Sequence, residues 1–122
     1  MNPAYGFVAA TVLLTVYGQL IVKWQVDKAG PFPAKATARL DYLGHFLLNP
    51  WVISALFGGL LAAFSWIAAL SRLELSHAYP FTAASFVLVL VFSAILFDEA
   101  LTAFKITGAL LIVLGLIVGS RT

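Results

Sequence analysis

Charged residues are scarce in this chain of 122 residues: they make up 10% of it, whereas a soluble domain carries about 25%. Cysteine is absent, which excludes disulfide bonds and thiol chemistry. The net charge of +2 is too small to indicate a nucleic-acid partner. Neither a metal-ligand set, a nucleophile–base pair nor a phosphate-binding loop can be recognised. The residues therefore support no enzyme, and we expect no metal and no cofactor.

Long uncharged apolar runs are what the sequence has instead, and hydrophobic residues make up 62% of it. Three runs without a charged residue approach the roughly 20 residues that a spanning helix needs: 3–22, 51–71 and 81–97. A fourth run, 106–120, is extended backwards by 101–104. We predict an all-α integral membrane protein, a single domain over residues 1–122 embedded in a lipid bilayer. Its four transmembrane helices are expected at about residues 3–26, 50–71, 77–97 and 101–120.

The segment 27–49 separates the first two spans. Gly30 and two prolines stop the first helix. Apolar residues then recur at helical spacing through 36–47, while Lys35 and Arg39 fall elsewhere. This pattern predicts a short amphipathic helix in the membrane interface, with its basic side toward the lipid headgroups. The alternative is an ordinary polar loop.

Connection lengths and charges bear on topology. The two short connections predict antiparallel hairpins between spans 2 and 3 and between spans 3 and 4, and the long first connection leaves spans 1 and 2 loosely tied. Basic residues are more frequent on the side of the first connection, so the positive-inside rule places both termini outside. The margin is only two charges, and insertion in either orientation stays open.

A polar stripe runs along the first span, because residues four apart share a helix face: Thr11, Thr15, Gln19 and Lys23. If the helix midpoint lies near Leu14, Gln19 is about 7.5 Å and Lys23 about 13.5 Å from the bilayer centre. Gln19 makes either an interhelical hydrogen bond or a substrate contact. Lys23 either snorkels to the phosphate level or pairs with an anionic group that enters from the headgroups.

Polar residues also mark both ends of the third span. In the first turn of a helix, the proline of Tyr79-Pro80 is tolerated at little cost in stability, and the pair would only mark a helix start. Deeper in the helix, the proline would leave a carbonyl group free for a ligand. Glu99 is either a solvated interfacial charge or a partner for Lys23. Counting spans makes the first and third parallel, so Lys23 and Glu99 share a membrane side.

Glycines line one side of the fourth span: Gly108, Gly115 and Gly119, of which the last two form a GxxxG motif. Such a motif serves either a dimer contact or close packing within one subunit. Four short helices hardly enclose a pathway alone, which favours the dimer.

The two ends of the chain resemble the drug/metabolite transporter superfamily. Gly18-Gln19-Leu20 followed by Lys23 matches its first helix, and Ala78-Tyr79-Pro80 its third. Residues 97–102, read as FDEALT, and the glycines of the last span look like the end of an EamA-type repeat. A four-span chain of this kind is similar to the small multidrug resistance group. The combination most resembles the aminoarabinose-phosphoundecaprenol flippase subunits, over most of the chain.

One departure separates the chain from the multidrug exporters, which carry a membrane-embedded glutamate in the first helix. Alignment on Gly18 puts Thr15 at that position, so export of cations loses its central carboxylate. Gln19 and Lys23 suit an anion instead. The resemblance therefore implies a transporter that flips a polyprenyl-phosphate-linked sugar across the bacterial inner membrane, as a homodimer or as a heterodimer with a similar subunit.

The resemblance also implies roles for named residues. Lys23 would pair with the phosphate, while Gln19 and Tyr79 would hydrogen-bond the head group. Glu99 would orient Lys23 or bind an amine on the sugar. Thr15 belongs to the same substrate face, and Trp66 either stacks on a sugar or only packs. Two alternatives stay open, a small-molecule or cationic-drug exporter and a subunit that stabilises a partner without transporting.

Overall fold

The computed structural model describes residues 3–121, and every regular element within them is helical. This confirms the all-α prediction. The helices are α1 (Pro3–Ala29), α2 (Ala36–Leu48), α3 (Pro50–Leu70), α4 (Leu75–Ala78), α5 (Ala84–Leu96) and α6 (Ala103–Gly119). A 3₁₀ segment, Tyr79–Ala83, joins α4 to α5.

Three helical stretches are long and apolar enough to cross a membrane: Pro3–Ala29, Pro50–Leu70 and the continuous stretch Leu75–Leu96. They correspond to the first three predicted spans. The first ends three residues later than predicted, and the third begins two residues earlier. Ala103–Gly119 is apolar but has only 17 residues, the lower end of the range for a spanning helix. These lengths and compositions are those expected of a multi-pass membrane protein.

Local sequence sets the helix ends. Asn49 caps α3, because its Oδ1 accepts a hydrogen bond of 2.9 Å from the backbone N–H of Trp51, and Pro50 follows at the first helical position. Gly30 ends α1 with φ of 88°, a conformation that costs glycine little. Asp98 also has a positive φ, 53°, in the sharp connection between α5 and α6.

Helix α1 is the centre of the bundle. It runs antiparallel to α3, with Trp24 against Trp51 at one end and Thr11 against Ala62 toward the other. Its other side packs against α5. The prediction that the first two spans are loosely tied is therefore wrong: they make the most extensive contact in the structure. Connection length limits how far apart two helices can lie but does not decide which helices pack.

Small side chains allow this close contact, as is typical of membrane helices. A Cβ added at Gly58 would lie 3.4 Å from the Tyr17 ring, and one at Gly18 would lie 3.5 Å from the Ala55 carbonyl oxygen. Tyr17 also shares a hydrogen bond of 2.7 Å with Ser54. The α1–α3 interface is thus fixed by backbone proximity.

A bulky residue at Gly58 is expected to destabilise the fold. In Gly58→Leu the side chain must displace the Tyr17 ring, and overpacking of this kind costs about 1–3 kcal/mol. Gly59 is the matched control, because a Cβ there meets nothing within 4 Å among residues 3–121. Thermal unfolding in detergent should show a lower Tm for Gly58→Leu than for Gly59→Leu. Equal Tm values would contradict this description of the interface.

The last helix is thinly packed. Ala109 is the only residue of α6 that is buried among those described, and large apolar side chains such as Phe104 and Val118 are exposed. In a membrane these surfaces face lipid or another protein. Helix α2 likewise has no buried residue; it is tied to the preceding loop by the Tyr42 hydroxyl, which donates to the Gly30 carbonyl at 2.8 Å.

Candidate functional site

The polar stripe of α1 opens into a groove between α1 and α3. Thr15 and Gln19 line this groove, which has a volume of about 370 Å³, and Gly18, Ala55 and Gly59 form much of its remaining wall. The Gln19 side chain is exposed and makes no hydrogen bond to any residue between 3 and 121. The interhelical hydrogen bond considered for Gln19 is therefore not formed within this part of the chain.

Thr11, one turn earlier on the stripe, has a packing role instead. It is buried, and its hydroxyl donates to the Phe7 carbonyl at 2.9 Å and also approaches the Ala62 carbonyl at 3.4 Å. The stripe is thus divided between a buried end that joins α1 to α3 and an open end that carries the amide of Gln19.

Lys23 pairs with Asp27, one turn further along α1. Its Nζ lies 3.0 Å from Asp27 Oδ1, and both side chains are about half exposed, at 48% and 46%. Exposed pairs of this kind contribute little to stability, so Lys23 can exchange Asp27 for another anion at small cost. Asp27 was not among the predicted site residues, although its i, i+4 spacing from Lys23 was the available signal.

Glu99 lies on the same side of the bundle as Lys23. The cavity between Leu20, Ile21 and Trp24 of α1 and Leu96 and Phe97 at the end of α5 shows that these helix ends meet. The salt bridge of Lys23 is made to Asp27 and not to Glu99. The structure therefore places Glu99 as a neighbour of Lys23 and not as its direct partner.

Tyr79 and Trp66 meet at the opposite end of the bundle. Their ring centroids are 6.4 Å apart at an interplanar angle of 70°. The neighbouring residue His77 shares a hydrogen bond of 2.8 Å with the Tyr5 hydroxyl. Eighteen residues of α1 separate Tyr5 from Lys23, which is about 27 Å along a helix. The structure does not bring Tyr79 and Trp66 together with Gln19 and Lys23.

Pro80 lies one turn inside the third apolar stretch and not at its start. The helix begins at Leu75, and the backbone narrows to the 3₁₀ segment around Pro80. Proline cannot donate to the carbonyl four residues earlier, which is Ser76. Pro80 therefore lies within the helical stretch and not at its start, which is the second of the two interpretations of Tyr79-Pro80.

The three glycines of α6 face open space. A Cβ added at Gly108, Gly115 or Gly119 would meet nothing within 4 Å among residues 3–121. Close packing within one subunit therefore does not account for these glycines. Over the same residues, no group of three or more histidine, aspartate or glutamate side chains is placed to hold a metal ion.

Residues 4–121, nearly the whole chain, match the EamA-like transporter family. The chain belongs to this family. A curated relative from Serratia proteamaculans, named a probable 4-amino-4-deoxy-L-arabinose-phosphoundecaprenol flippase subunit ArnF, is 35% identical over 91% of this chain and 87% of its own length. A Pseudomonas aeruginosa relative, named as the probable subunit ArnE of such a flippase, is 35% identical over 93% of both chains. No solved structure matches the chain significantly.

Membership of the EamA-like family confirms the resemblance from the sequence. The curated relatives are named as flippase subunits, which are transport proteins and not enzymes. A third, the ArnF-named protein of Yersinia enterocolitica, is 34% identical over 92% of this chain. An EamA-like chain with several apolar helices is thus a multi-pass membrane protein of a transporter family.

Proposed function

We propose that this chain is a subunit of a flippase that moves a polyprenyl-phosphate-linked aminosugar across the bacterial inner membrane. The observation that carries the proposal is the groove beside Thr15 and Gln19, whose amide is free of partners among the described residues. A polar group in hydrocarbon is costly unless it is hydrogen-bonded. The names of the similar proteins supply the substrate class.

For a sugar linked through phosphate to a polyprenyl lipid, only the polar head group has to be carried across the bilayer core. The tail stays in the bilayer, while the head group passes along the groove and hydrogen-bonds Gln19. Lys23 exchanges Asp27 for the phosphate at the membrane edge, and Glu99, on the same side, attracts the amine of the sugar. Export of cations is disfavoured, because Thr15 and not a carboxylate faces the groove.

The wide separation of Lys23 from Tyr79 and Trp66 fits the two ends of one pathway. A head group that leaves Lys23 has about 27 Å to travel before it reaches the level of Tyr79. Trp66 then offers an aromatic face for a sugar ring next to the Tyr79 hydroxyl. In this proposal the residues act in succession and not as one site.

The proposed arrangement in the membrane has four spans, with α6 as the last. Its 17 residues extend about 26 Å, slightly less than a hydrocarbon core of about 30 Å. Helix α2 lies in the interface, with Lys35 and Arg39 among the headgroups. The glycines of α6 form the contact with a second subunit, which is either another copy of this chain or a similar four-helix protein.

Leucine at Gly115 is expected to weaken subunit association without unfolding the subunit, because the site is open within one chain but would sterically block a close helix contact. Chemical cross-linking in membranes should show less dimer for Gly115→Leu than for the wild type. Gly6→Leu is the control, since Gly6 is also open but lies in α1. Loss of dimer in both variants, or in neither, would exclude the α6 glycines as the contact.

The proposed function can be tested in cells that lack this chain but synthesise the aminosugar lipid. A membrane-impermeant amine reagent labels only head groups on the outer face. Labelling should fall when the chain is removed and return when it is restored. Unchanged labelling would reject the proposed function.

A further inference from the structure

A second polar cavity lies on the opposite face of α1 from Lys23. Its volume is about 230 Å³, and its walls come from the ends of α1 and α2 and the start of α3: Gln25, Lys28, Ala29, His45, Phe46 and Asn49. None of these residues was predicted to have a function.

Gln25 supplies an unsatisfied donor to this cavity. Its side chain is 6% exposed, and its Nε2 has no hydrogen-bond partner among residues 3–121. Such a buried donor is costly when it is left unpaired. It therefore indicates a ligand that accepts a hydrogen bond.

The hydrogen bonds of Asn49 fix which end of the Gln25 amide is free. Asn49 Oδ1 accepts from the Trp51 backbone N–H as the cap of α3, so its Nδ2 faces Gln25. That Nδ2 donates to Gln25 Oε1 at 2.9 Å. Gln25 must then present its NH₂ group as the free end, because a reversed amide would set two donors against each other.

The charge of the cavity also suits an anion. Lys28 is one of the lining residues, and its ammonium lies 4.2 Å above the centre of the Trp24 ring. The Nδ1 of His45 lies 2.8 Å from the Asp41 carbonyl and 3.5 Å from the Asp41 carboxylate. No carboxylate is among the residues that line the cavity. The C-terminal end of α1 opposes an anion, but its partial charge is smaller than the full charge of Lys28.

An apolar groove adjoins this cavity at Phe46, which lines both. The groove has a volume of about 580 Å³ and lies between α1, α2 and α3, with a wall of apolar and aromatic side chains that includes Val26, Leu43 and Val52. A polar anion cavity and an apolar groove that share a wall fit a molecule with a phosphate at the end of a hydrocarbon chain.

We propose that Gln25, Lys28 and Asn49 form a loading site for the phosphate of a polyprenyl phosphate lipid, whose first isoprenoid units lie in the groove beneath α2. The choice of lipid rests on the proposed function. Binding at this site would come before the head group moves to Lys23. Gln25 Nε2 donates to a phosphate oxygen, Lys28 supplies the counter-charge, and Asn49 orients Gln25.

Binding of undecaprenyl phosphate to the full chain in detergent, measured by native mass spectrometry, tests the site without requiring transport. Gln25→Leu and Lys28→Gln are each expected to weaken binding about tenfold, the effect of losing a hydrogen bond to a charged group. Lys28 is exposed, so its variant should fold even if Gln25→Leu does not. Lys35→Gln, a loop lysine outside the cavity, should bind as the wild type does.

Two further arms distinguish the source of the phosphate. Leu43→Asn, which places an amide in the groove, should weaken binding of the lipid but not of inorganic phosphate. Phosphatidylglycerol should compete less well than undecaprenyl phosphate. Any of three results would overturn the proposal. The two lipids could bind equally well, Gln25→Leu and Lys28→Gln could bind as the wild type does, or Lys35→Gln could lose as much affinity as they do. If the wild-type protein showed these binding differences but did not flip the lipid-linked sugar, the loading site would stand and only the proposed function would be rejected.

Discussion

Lys23→Gln is expected to reduce flipping of the lipid-linked sugar about ten- to a hundredfold, while the protein stays folded. The reduction follows from the loss of a charge-assisted hydrogen bond to the phosphate. The fold should tolerate the change, because Lys23 is half exposed and, among the described residues, its salt bridge is the weak exposed pair with Asp27. Initial flipping rates in reconstituted liposomes and Tm in detergent measure the two effects separately.

Two control variants separate the proposed role of Lys23 from simpler ones. Lys105→Gln removes a lysine whose Nζ donates a hydrogen bond to the Ala100 carbonyl, at 3.1 Å, and makes no salt bridge among residues 3–121, and flipping should be unchanged. Asp27→Asn frees Lys23 from its partner, and flipping should be retained. If Asp27→Asn were as defective as Lys23→Gln, the salt bridge itself would be the functional unit and the proposed role of Lys23 would be wrong.

Gln19→Leu is expected to lower flipping about tenfold and to leave the Tm unchanged. Gln19 is exposed in the groove and has no hydrogen-bond partner among the described residues, so its replacement removes no hydrogen bond from this part of the chain. A head group that passes the groove loses the amide, and an unmade hydrogen bond in hydrocarbon is costly. The same liposome assay and Tm measurement apply.

Thr11→Val is the matched variant for Gln19→Leu. It removes the polar residue at the buried end of the same stripe, where the hydroxyl bonds to the Phe7 and Ala62 carbonyls. Its expected effect is on stability and not on transport. If Gln19→Leu flipped the lipid at the wild-type rate, the groove would be excluded as the pathway. If Gln19→Leu lost the dimer, Gln19 would be assigned to a subunit contact.

The membrane helices were predictable from the sequence because length and lack of charge decide them. Runs without charge near 20 residues must span or be buried, and the structure has three of them close to the predicted boundaries. The arrangement of the helices was not predictable from loop lengths. Contacts such as Gly58 against the Tyr17 ring depend on how closely two backbones approach, which no connection length encodes.

The candidate site was predicted in part. Counting spans predicts Lys23 and Glu99 on one membrane side, and the structure brings the ends of α1 and α5 together. The same count puts Tyr79 on the other side, and the predicted site did not take this into account. Lys23 pairs with Asp27, one turn away on the same helix. This pair is favoured over a distant partner because the helix already holds the two side chains close together, so less conformational entropy is lost. Gln25 was missed because its burial arises only when α2 and α3 close over it.

Transport of the lipid by the purified protein would show whether the chain is part of a flippase. The chain, with its partner subunit if one co-purifies, is reconstituted into liposomes that contain an undecaprenyl-phosphate-linked aminosugar. An impermeant amine reagent then reports the fraction of head groups on the outer leaflet with time. We predict that labelling proceeds beyond the outer-leaflet fraction with the wild type but stops there in protein-free liposomes and slows in Lys23→Gln. If labelling with the wild type stopped at the protein-free level, the chain would not flip this lipid and the proposed function would be wrong.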